Sequence, residues 1–153
     1  MEIHGFADAS QSAYAAVIYL RVMYEQRRCT FLLTSKSKVS PLKTVSIPRL
    51  ELCAAEHLSR LLAWTITALN LERATIYAWT DSMITLAWIS KPPSTWKVFV
   101  ANRVALIQTQ CPEATWRHVP TQDNPADLAS RGVSPIQLIG NSLWWSGPSW
   151  LSY

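Results

Sequence analysis

The opening third of the chain restricts its fold most strongly, because three β-type segments occur there before any helical pattern. They are residues 3–7, 13–24 and 29–33, rich in β-branched and aromatic side chains and separated by short polar stretches. Such a succession predicts consecutive antiparallel strands, with a hairpin between the second and the third. Asp8 ends the first strand. The chain must therefore build a sheet that is antiparallel at one side.

A long amphipathic helix is predicted next. Residues 35–46 are polar and basic, and Pro48 then suits the first turn of a helix, where the missing N–H costs nothing. Apolar side chains recur at helical spacing from Leu50 to about Leu69. This helix carries Glu51 in its first turn.

The remaining pattern alternates strands and helices. Strands are predicted at 75–80 and 115–119, and helices at 83–89, 96–110 and 126–130, which gives the order βββαβααβα. Helices inserted between the later strands imply a mixed sheet with helices packed on it. Gly132 ends the domain, so we predict an α/β domain over residues 1–132.

Residues 133–153 form a tryptophan-rich tail with one turn of predicted helix. Trp144, Trp145 and Trp150 surround Gly147 and Pro148. Exposed tryptophans in this number would make an apolar patch that a soluble monomer seldom tolerates. We therefore expect the tail to pack on the domain or on a partner.

Composition bounds the class of protein. The 153 residues are 49% apolar and 16% charged, which fits one globular domain, and the net charge of +4 suits a polyanionic partner without requiring one. Three isolated cysteines indicate a reducing, intracellular compartment. No signal peptide or membrane span is predicted.

Four of the ten acidic residues fall at element ends. Asp8 and Asp81 follow strands, whereas Glu51 and Asp127 lie in first helical turns. Hard divalent cations prefer oxygen ligands, and carboxylates gathered from several element ends can hold a pair of them. Helix capping and the helix dipole would also explain Asp81, Glu51 and Asp127. Asp8 is harder to explain by structure alone, because aspartate is disfavoured in strands.

Five motifs in order carry a family resemblance. They read HGFADAS at 4–10, PLKTVSIPRLEL at 41–52, WTDS at 79–82, HVP at 118–120 and DNPADLASRG at 123–132. The chain resembles the ribonuclease H domain of Bel/Pao-type LTR retrotransposon polyproteins over nearly its whole length, including LWWSGP in the tail. The resemblance implies a ribonuclease H-like fold, a five-stranded mixed sheet in the order 3-2-1-4-5 with helices on both faces.

The same resemblance implies a site for two Mg²⁺ ions, with Mn²⁺ able to substitute. Asp8 would bridge both ions, Glu51 and Asp81 would hold one, and Asp127 the other. Contacts with substrate are expected from five further residues of the motifs. They are Ser10, Lys43, Arg49, Ser82 and Asn124.

Other polar residues carry weaker expectations. Lys36, Lys38 and Lys97 would either face phosphates or form an ordinary solvated surface. Many ribonucleases H have a histidine in the loop before the last aspartate, and here Thr121, Gln122 and Asp123 fill that stretch. His118 is therefore interpreted as a structural residue of the last strand.

The predicted function is cleavage of the RNA strand of an RNA/DNA hybrid during reverse transcription. The expected partners are the hybrid, the reverse transcriptase and other Pol segments, in the cytoplasm or in a virus-like particle of an active element. Two alternatives stay open: an integrase-like nuclease acting on DNA, and an inactive binding module. Glu51 lies on the helix that follows the third strand, which favours ribonuclease H over an integrase, because integrase-type sites place their glutamate on a late helix. The presence of all four carboxylates argues against a decayed domain.

Overall fold

A computed structural model describes residues 1–153. The strands are β1 (Glu2–Ala9), β2 (Ala13–Tyr24), β3 (Arg27–Val39), β4 (Thr75–Thr80) and β5 (Thr115–His118). The helices are α1 (Ile47–Ala68), α2 (Met83–Ile89), α3 (Val98–Gln110), α4 (Ala126–Arg131), α5 (Pro135–Ile139) and α6 (Ser142–Ser146). Short 3₁₀ turns occupy Pro93–Thr95, Thr121–Asp123 and Ser149–Ser152. None of the helices combines the length and hydrophobicity that a membrane crossing requires.

The five strands form one mixed sheet in the order β3-β2-β1-β4-β5, which confirms the predicted topology. β1 pairs antiparallel with β2, and β2 pairs antiparallel with β3. On its other side β1 pairs parallel with β4, and β4 pairs parallel with β5. β1 is thus the central strand, where the antiparallel and parallel halves of the sheet meet.

Helix α1 covers one face of the sheet. Alternate residues of β1 and β2, among them Ile3, Ala7 and Ile18, form a buried cluster with Leu58 and Leu62 of α1. Period-two alternation in the strands and the helical repeat in α1 bring these apolar faces together. On its far side α1 packs against α3.

The opposite face is covered by α4 and the tail. Phe6 and Tyr19 of the sheet pack with Ala126 of α4 and with Leu151 near the C-terminus, all without exposed surface. The Tyr19 hydroxyl donates a 2.6 Å hydrogen bond to the backbone oxygen of Trp144. Helices therefore lie on both faces, as predicted.

Two elements differ from the sequence prediction. β3 continues to Val39 through a stretch that is polar enough to be taken for a loop, because β2 pairs with it while its outer residues stay exposed to water. The tail contains α5 and α6 rather than a single helical turn. Side-chain caps start both helices: Ser134 Oγ accepts a hydrogen bond from the Gln137 N–H, and Asn141 Oδ1 accepts one from the Trp144 N–H. The predicted domain boundary after Gly132 stays a prediction.

Candidate metal centre

Two of the predicted carboxylates meet because their strands are parallel neighbours. Asp8 lies at the end of β1, and Asp81 directly follows β4. Ala7 is in register with Thr80, so Asp8 and Asp81, the next residue along each strand, lie at the same edge of the sheet. Asp8 is almost fully buried, whereas Asp81 is partly exposed.

Glu51 reaches this edge from α1. The helix can approach β1 closely because residue 5 is glycine: a Cβ there would lie 2.7 Å from Cδ1 of Leu58, well inside van der Waals contact. The Glu51 carboxyl consequently enters the site from above the sheet, and it is buried. Its Oε2 atom has no hydrogen-bond partner.

Asp8, Glu51 and Asp81 form one compact cluster. One carboxylate oxygen from each lies within 4.8 Å of the others. Burial, followed by repulsion from Asp81 and Asp127, raises the pKa of Asp8 to about 7. Burial together with the charges of Asp8 and Asp81 raises the pKa of Glu51 to about 9. Bringing these carboxyls together is thus unfavourable while they are charged and uncompensated.

The cluster fits a hard divalent cation. Its donors are all carboxylate oxygens, the ligand type that Mg²⁺ and Mn²⁺ prefer. A buried acceptor without a partner, such as Glu51 Oε2, costs free energy unless something satisfies it. A bound cation would satisfy this atom and offset the repulsion among Asp8, Glu51 and Asp81.

Asp127 lies outside the group of three. It occupies the first turn of α4, and its Oδ1 atom pairs with Nε of Arg131 at 2.9 Å. Its charge is nevertheless close enough to contribute to the raised pKa of Asp8. The role of Asp127 as a fourth ligand stays a prediction.

Two hydroxyl groups that the sequence analysis did not single out support the cluster. Ser130 Oγ donates to Oδ2 of Asp8 at 2.6 Å, and this bond lowers the Asp8 pKa against the effect of burial. Thr121 Oγ1 donates to Oδ2 of Asp81 at 3.1 Å. Ser130 was visible in the DNPADLASRG motif, one turn after Asp127, whereas only the tertiary fold brings Thr121 to Asp81.

Three of the expected substrate contacts have their side chains engaged within the chain. Asn124 has no exposed surface: its amide nitrogen donates to the Ala7 oxygen, and its amide oxygen accepts from the Ala126 N–H. Ser10 Oγ donates to the backbone oxygen of Ser130 at 2.7 Å. Ser82 Oγ caps α2. These side chains hold the backbone around the cluster.

The cationic side chains expected at the substrate lie at the surface. Lys43 is exposed in the segment before α1, and Arg49 is exposed in the first turn of α1. The Arg49 guanidinium lies 4.9 Å from the centre of the Phe99 ring. Lys97 is exposed directly before α3, and His118 is exposed at the end of β5.

The sheet order, the helices on both faces and the carboxylates at the end of the central strand define a ribonuclease H-like domain. Three solved structures share this fold. The RNase H1 of the archaeon Halobacterium salinarum is 12% identical, with 82% of this chain and 91% of that chain covered and a TM-score of 0.53. The N-terminal RNase H domain of a Mycobacterium tuberculosis protein is 16% identical, with 85% of this chain and 94% of that chain covered and a TM-score of 0.55. LC11-RNase H1, solved with an RNA/DNA hybrid, is 16% identical, with 82% of this chain and 91% of that chain covered and a TM-score of 0.58.

The sequence itself defines the family more narrowly. Residues 1–82 match the model of the Pao retrotransposon-like RNaseH-like domain. The chain belongs to this family, as the motifs predicted. None of the curated proteins matches the sequence.

Proposed function

We propose that the chain is a divalent-metal-dependent ribonuclease H that cleaves the RNA strand of RNA/DNA hybrids in the reverse transcription of a Pao-type element. The observation that carries the proposal is the cluster of Asp8, Glu51 and Asp81, which three separate elements bring together around a buried, unpartnered oxygen. Buried carboxyls with mutually raised pKa values are typical of functional sites.

Each carboxylate has a distinct part in this proposal. Asp8, on the central strand, would be a ligand of both ions, while Glu51 and Asp81 would hold one of them. Asp127 would complete the second position after leaving Arg131. This exchange is inexpensive, since the Arg131 side chain is largely exposed and ion pairs at the surface contribute at most about 1 kcal/mol. Bound divalent ions would activate water and stabilise the leaving oxygen of the phosphodiester.

Substrate choice would depend on the shape and the 2′-hydroxyl groups of the hybrid rather than on base sequence. Lys43 and Arg49 flank the start of α1, close in sequence to Glu51, and both are exposed. They are suited to phosphate contacts beside the carboxylates. The fold shared with an RNase H1 that was solved on an RNA/DNA hybrid supports this class of substrate.

A cleavage assay tests the proposal. A hybrid with end-labelled RNA should be cut in the presence of Mg²⁺ or Mn²⁺, not in EDTA, and duplex DNA of the same sequence should remain intact. Asp8→Asn should abolish cleavage. Asp123→Asn is the matched control, because it removes the same charge from a neighbouring loop outside the cluster.

Two results would favour the alternatives. Equal cutting of duplex DNA would indicate an integrase-like nuclease. Hybrid binding without cleavage under any divalent cation would indicate an inactive binding module. The family of the chain suggests that it works beside a reverse transcriptase in a Pol polyprotein. Adding that polymerase segment should then increase affinity for the hybrid, because linked domains raise each other's effective concentration.

A further inference from the structure

A cleft separate from the carboxylate cluster lies between helix α1 and the edge strand β3. It encloses about 570 Å³. Residues 34–38 of β3 form one wall, and His57, Arg60 and Trp64 line the other. None of the four predicted carboxylates lines it. Along α1, Arg60 and Trp64 lie about 14 and 20 Å beyond Glu51, at 1.5 Å per residue.

The pairing of the strands explains why β3 presents lysines here. Lys36 is in register with Ala16 and Lys38 with Tyr14, both of which belong to the cluster under α1. The two lysines therefore project from the same face of the sheet as α1. His57 holds the wall in place, since its Nε2 atom lies 3.0 Å from the backbone oxygen of Lys36.

The cleft has an excess of positive charge. Arg60 pairs with Glu56 one turn earlier on α1, whereas neither Lys36 nor Lys38 forms an ion pair. Thr34 is in register with Ile18 of the same cluster, so it adds a hydroxyl group to this wall. Free ammonium groups and a hydroxyl at every second residue of an extended strand are suited to a row of phosphates.

Trp64 adds a stacking surface to this charge. Trp64 is 66% exposed, more than any of the other seven tryptophans. Leu61 is the other apolar residue of the lining. A peptide added to the β3 edge would need apolar pockets for its alternate side chains, and the cleft offers none. Phosphate contacts beside one exposed aromatic ring are the pattern of single-strand nucleic-acid binding.

We propose that this cleft binds a single strand of nucleic acid, with Lys36 and Lys38 contacting phosphates and a base stacked on Trp64. This site is separate from the carboxylate cluster and goes beyond the proposed function. It would hold an unpaired segment of DNA or RNA while the cluster acts on a duplex region.

Fluorescence anisotropy with a labelled oligothymidylate tests the site, because this DNA is not a substrate of the proposed nuclease. Wild-type protein should bind it with an affinity that falls as salt rises. Lys36→Gln with Lys38→Gln should reduce the slope of log affinity against log salt by about 1.4, from about 0.7 for each phosphate contact. Trp64→Ala and Trp64→Leu should each weaken binding about 5- to 150-fold, the loss expected for one stacked base.

Matched controls lie at the other end of the same hairpin. Arg27→Gln with Arg28→Gln removes the same charge from exposed positions of β3, and Tyr24→Ala removes an aromatic group that is 65% exposed. These variants should bind like wild type. Circular dichroism and thermal unfolding show whether each variant is folded. If one of the two Trp64 variants is misfolded, the other still tests the stacking.

Three results would overturn the proposal. The first is unchanged binding in the lysine or tryptophan variants, and the second is an equal loss in the hairpin controls. The third is displacement of the DNA by oligoglutamate of equal charge with no effect of Trp64→Ala, which would indicate an acidic peptide instead. Failure of hybrid cleavage would leave the binding test intact, since oligothymidylate binding needs no hydrolysis.

Discussion

The hydroxyl of Ser130 donates a 2.6 Å hydrogen bond to the carboxylate of Asp8, which ties α4 to the central strand. Both residues are buried. Asp127 lies one turn before Ser130 on α4, so the bond also fixes where the start of this helix stands relative to the carboxylate cluster. A bond to an ionised carboxylate is stronger than one between neutral groups. Ser130 thus favours the charged form of Asp8, the form that a cation requires.

Ser130→Ala should raise the pKa of Asp8 further above its value of about 7, because it removes the one hydrogen bond that stabilises the carboxylate. Carboxyl-carbon NMR titration of the metal-free protein measures this shift directly. Above pH 7 the variant should also lose about 1–3 kcal/mol of stability in urea unfolding. Ser94→Ala, at an exposed serine, is the control. An unchanged Asp8 titration would show that the bond does not tune the site.

The metal-free protein should lose stability as the pH rises from 7 to 9. The pKa of Glu51 is about 9 when folded against 4.5 as its ordinary value, so in this range the folded state holds a proton that the unfolded state has released. Stability then falls by up to about 1.4 kcal/mol per pH unit. Buried His4 and His57 have lowered pKa values, and unfolded histidine is mostly neutral above pH 7, so these residues contribute little to this slope.

Urea midpoints at pH 7, 8 and 9 in EDTA measure this dependence. Glu51→Gln should flatten it, since the variant carries no titrating group at this position. A slope that persists in Glu51→Gln would assign the dependence to other groups.

Asp8→Asn should stabilise the metal-free fold at pH 8 while removing the response to metal. The substitution relieves repulsion with Asp81 and Asp127 and leaves a neutral group in a buried position. In thermal unfolding, wild type should gain stability on addition of Mn²⁺, because a ligand that binds only the folded state stabilises it. The variant should show little gain. Asp8 would instead be a structural residue if the variant melted below wild type in EDTA.

Arg131→Gln should tighten Mn²⁺ binding by up to about fivefold, which is the fold-change that corresponds to about 1 kcal/mol for an ion pair at the surface. The substitution frees Asp127 from its 2.9 Å contact. Isothermal titration calorimetry measures the affinity. In the double variant with Asp127→Asn the gain should disappear. A gain that survives in the double variant would reflect the loss of a nearby positive charge alone, and Asp127 would not be a ligand.

Gly5→Ala should destabilise the fold by about 1–3 kcal/mol, the usual cost of overpacking a core. The added Cβ would lie 2.7 Å from Leu58 Cδ1, and Leu58 is fully buried and has little room to move. Displacement of α1 would also carry Glu51 away, so Mn²⁺ affinity should fall together with stability. Gly140→Ala is the control, because nothing lies within 4 Å of its added Cβ. Equal effects of the two substitutions in urea unfolding and calorimetry would contradict this account of α1.

The sequence predicted the elements whose signals are local. The β-branched and aromatic residues of β1 and β2, the proline-initiated pattern of α1 and the aspartates at the ends of β1 and β4 are all local features of the sequence. The motifs then supplied the sheet order, which periodicity alone does not contain. β3 was too short in the prediction because an edge strand tolerates polar residues on its open side, and the two caps of the tail helices were overlooked.

By itself, the sequence determined which residues are acidic and which element each one ends or begins, and so it named Asp8, Glu51, Asp81 and Asp127 as a group. Only the tertiary structure decided their distances, since these depend on the parallel register of β1 with β4 and on the close approach of α1 at Gly5. It also decided that Asn124 is buried against Ala7 and that Asp127 pairs with Arg131. Burial and ion pairing depend on residues that are distant in sequence. A local pattern therefore identifies a titratable side chain but not the neighbours that determine its protonation state.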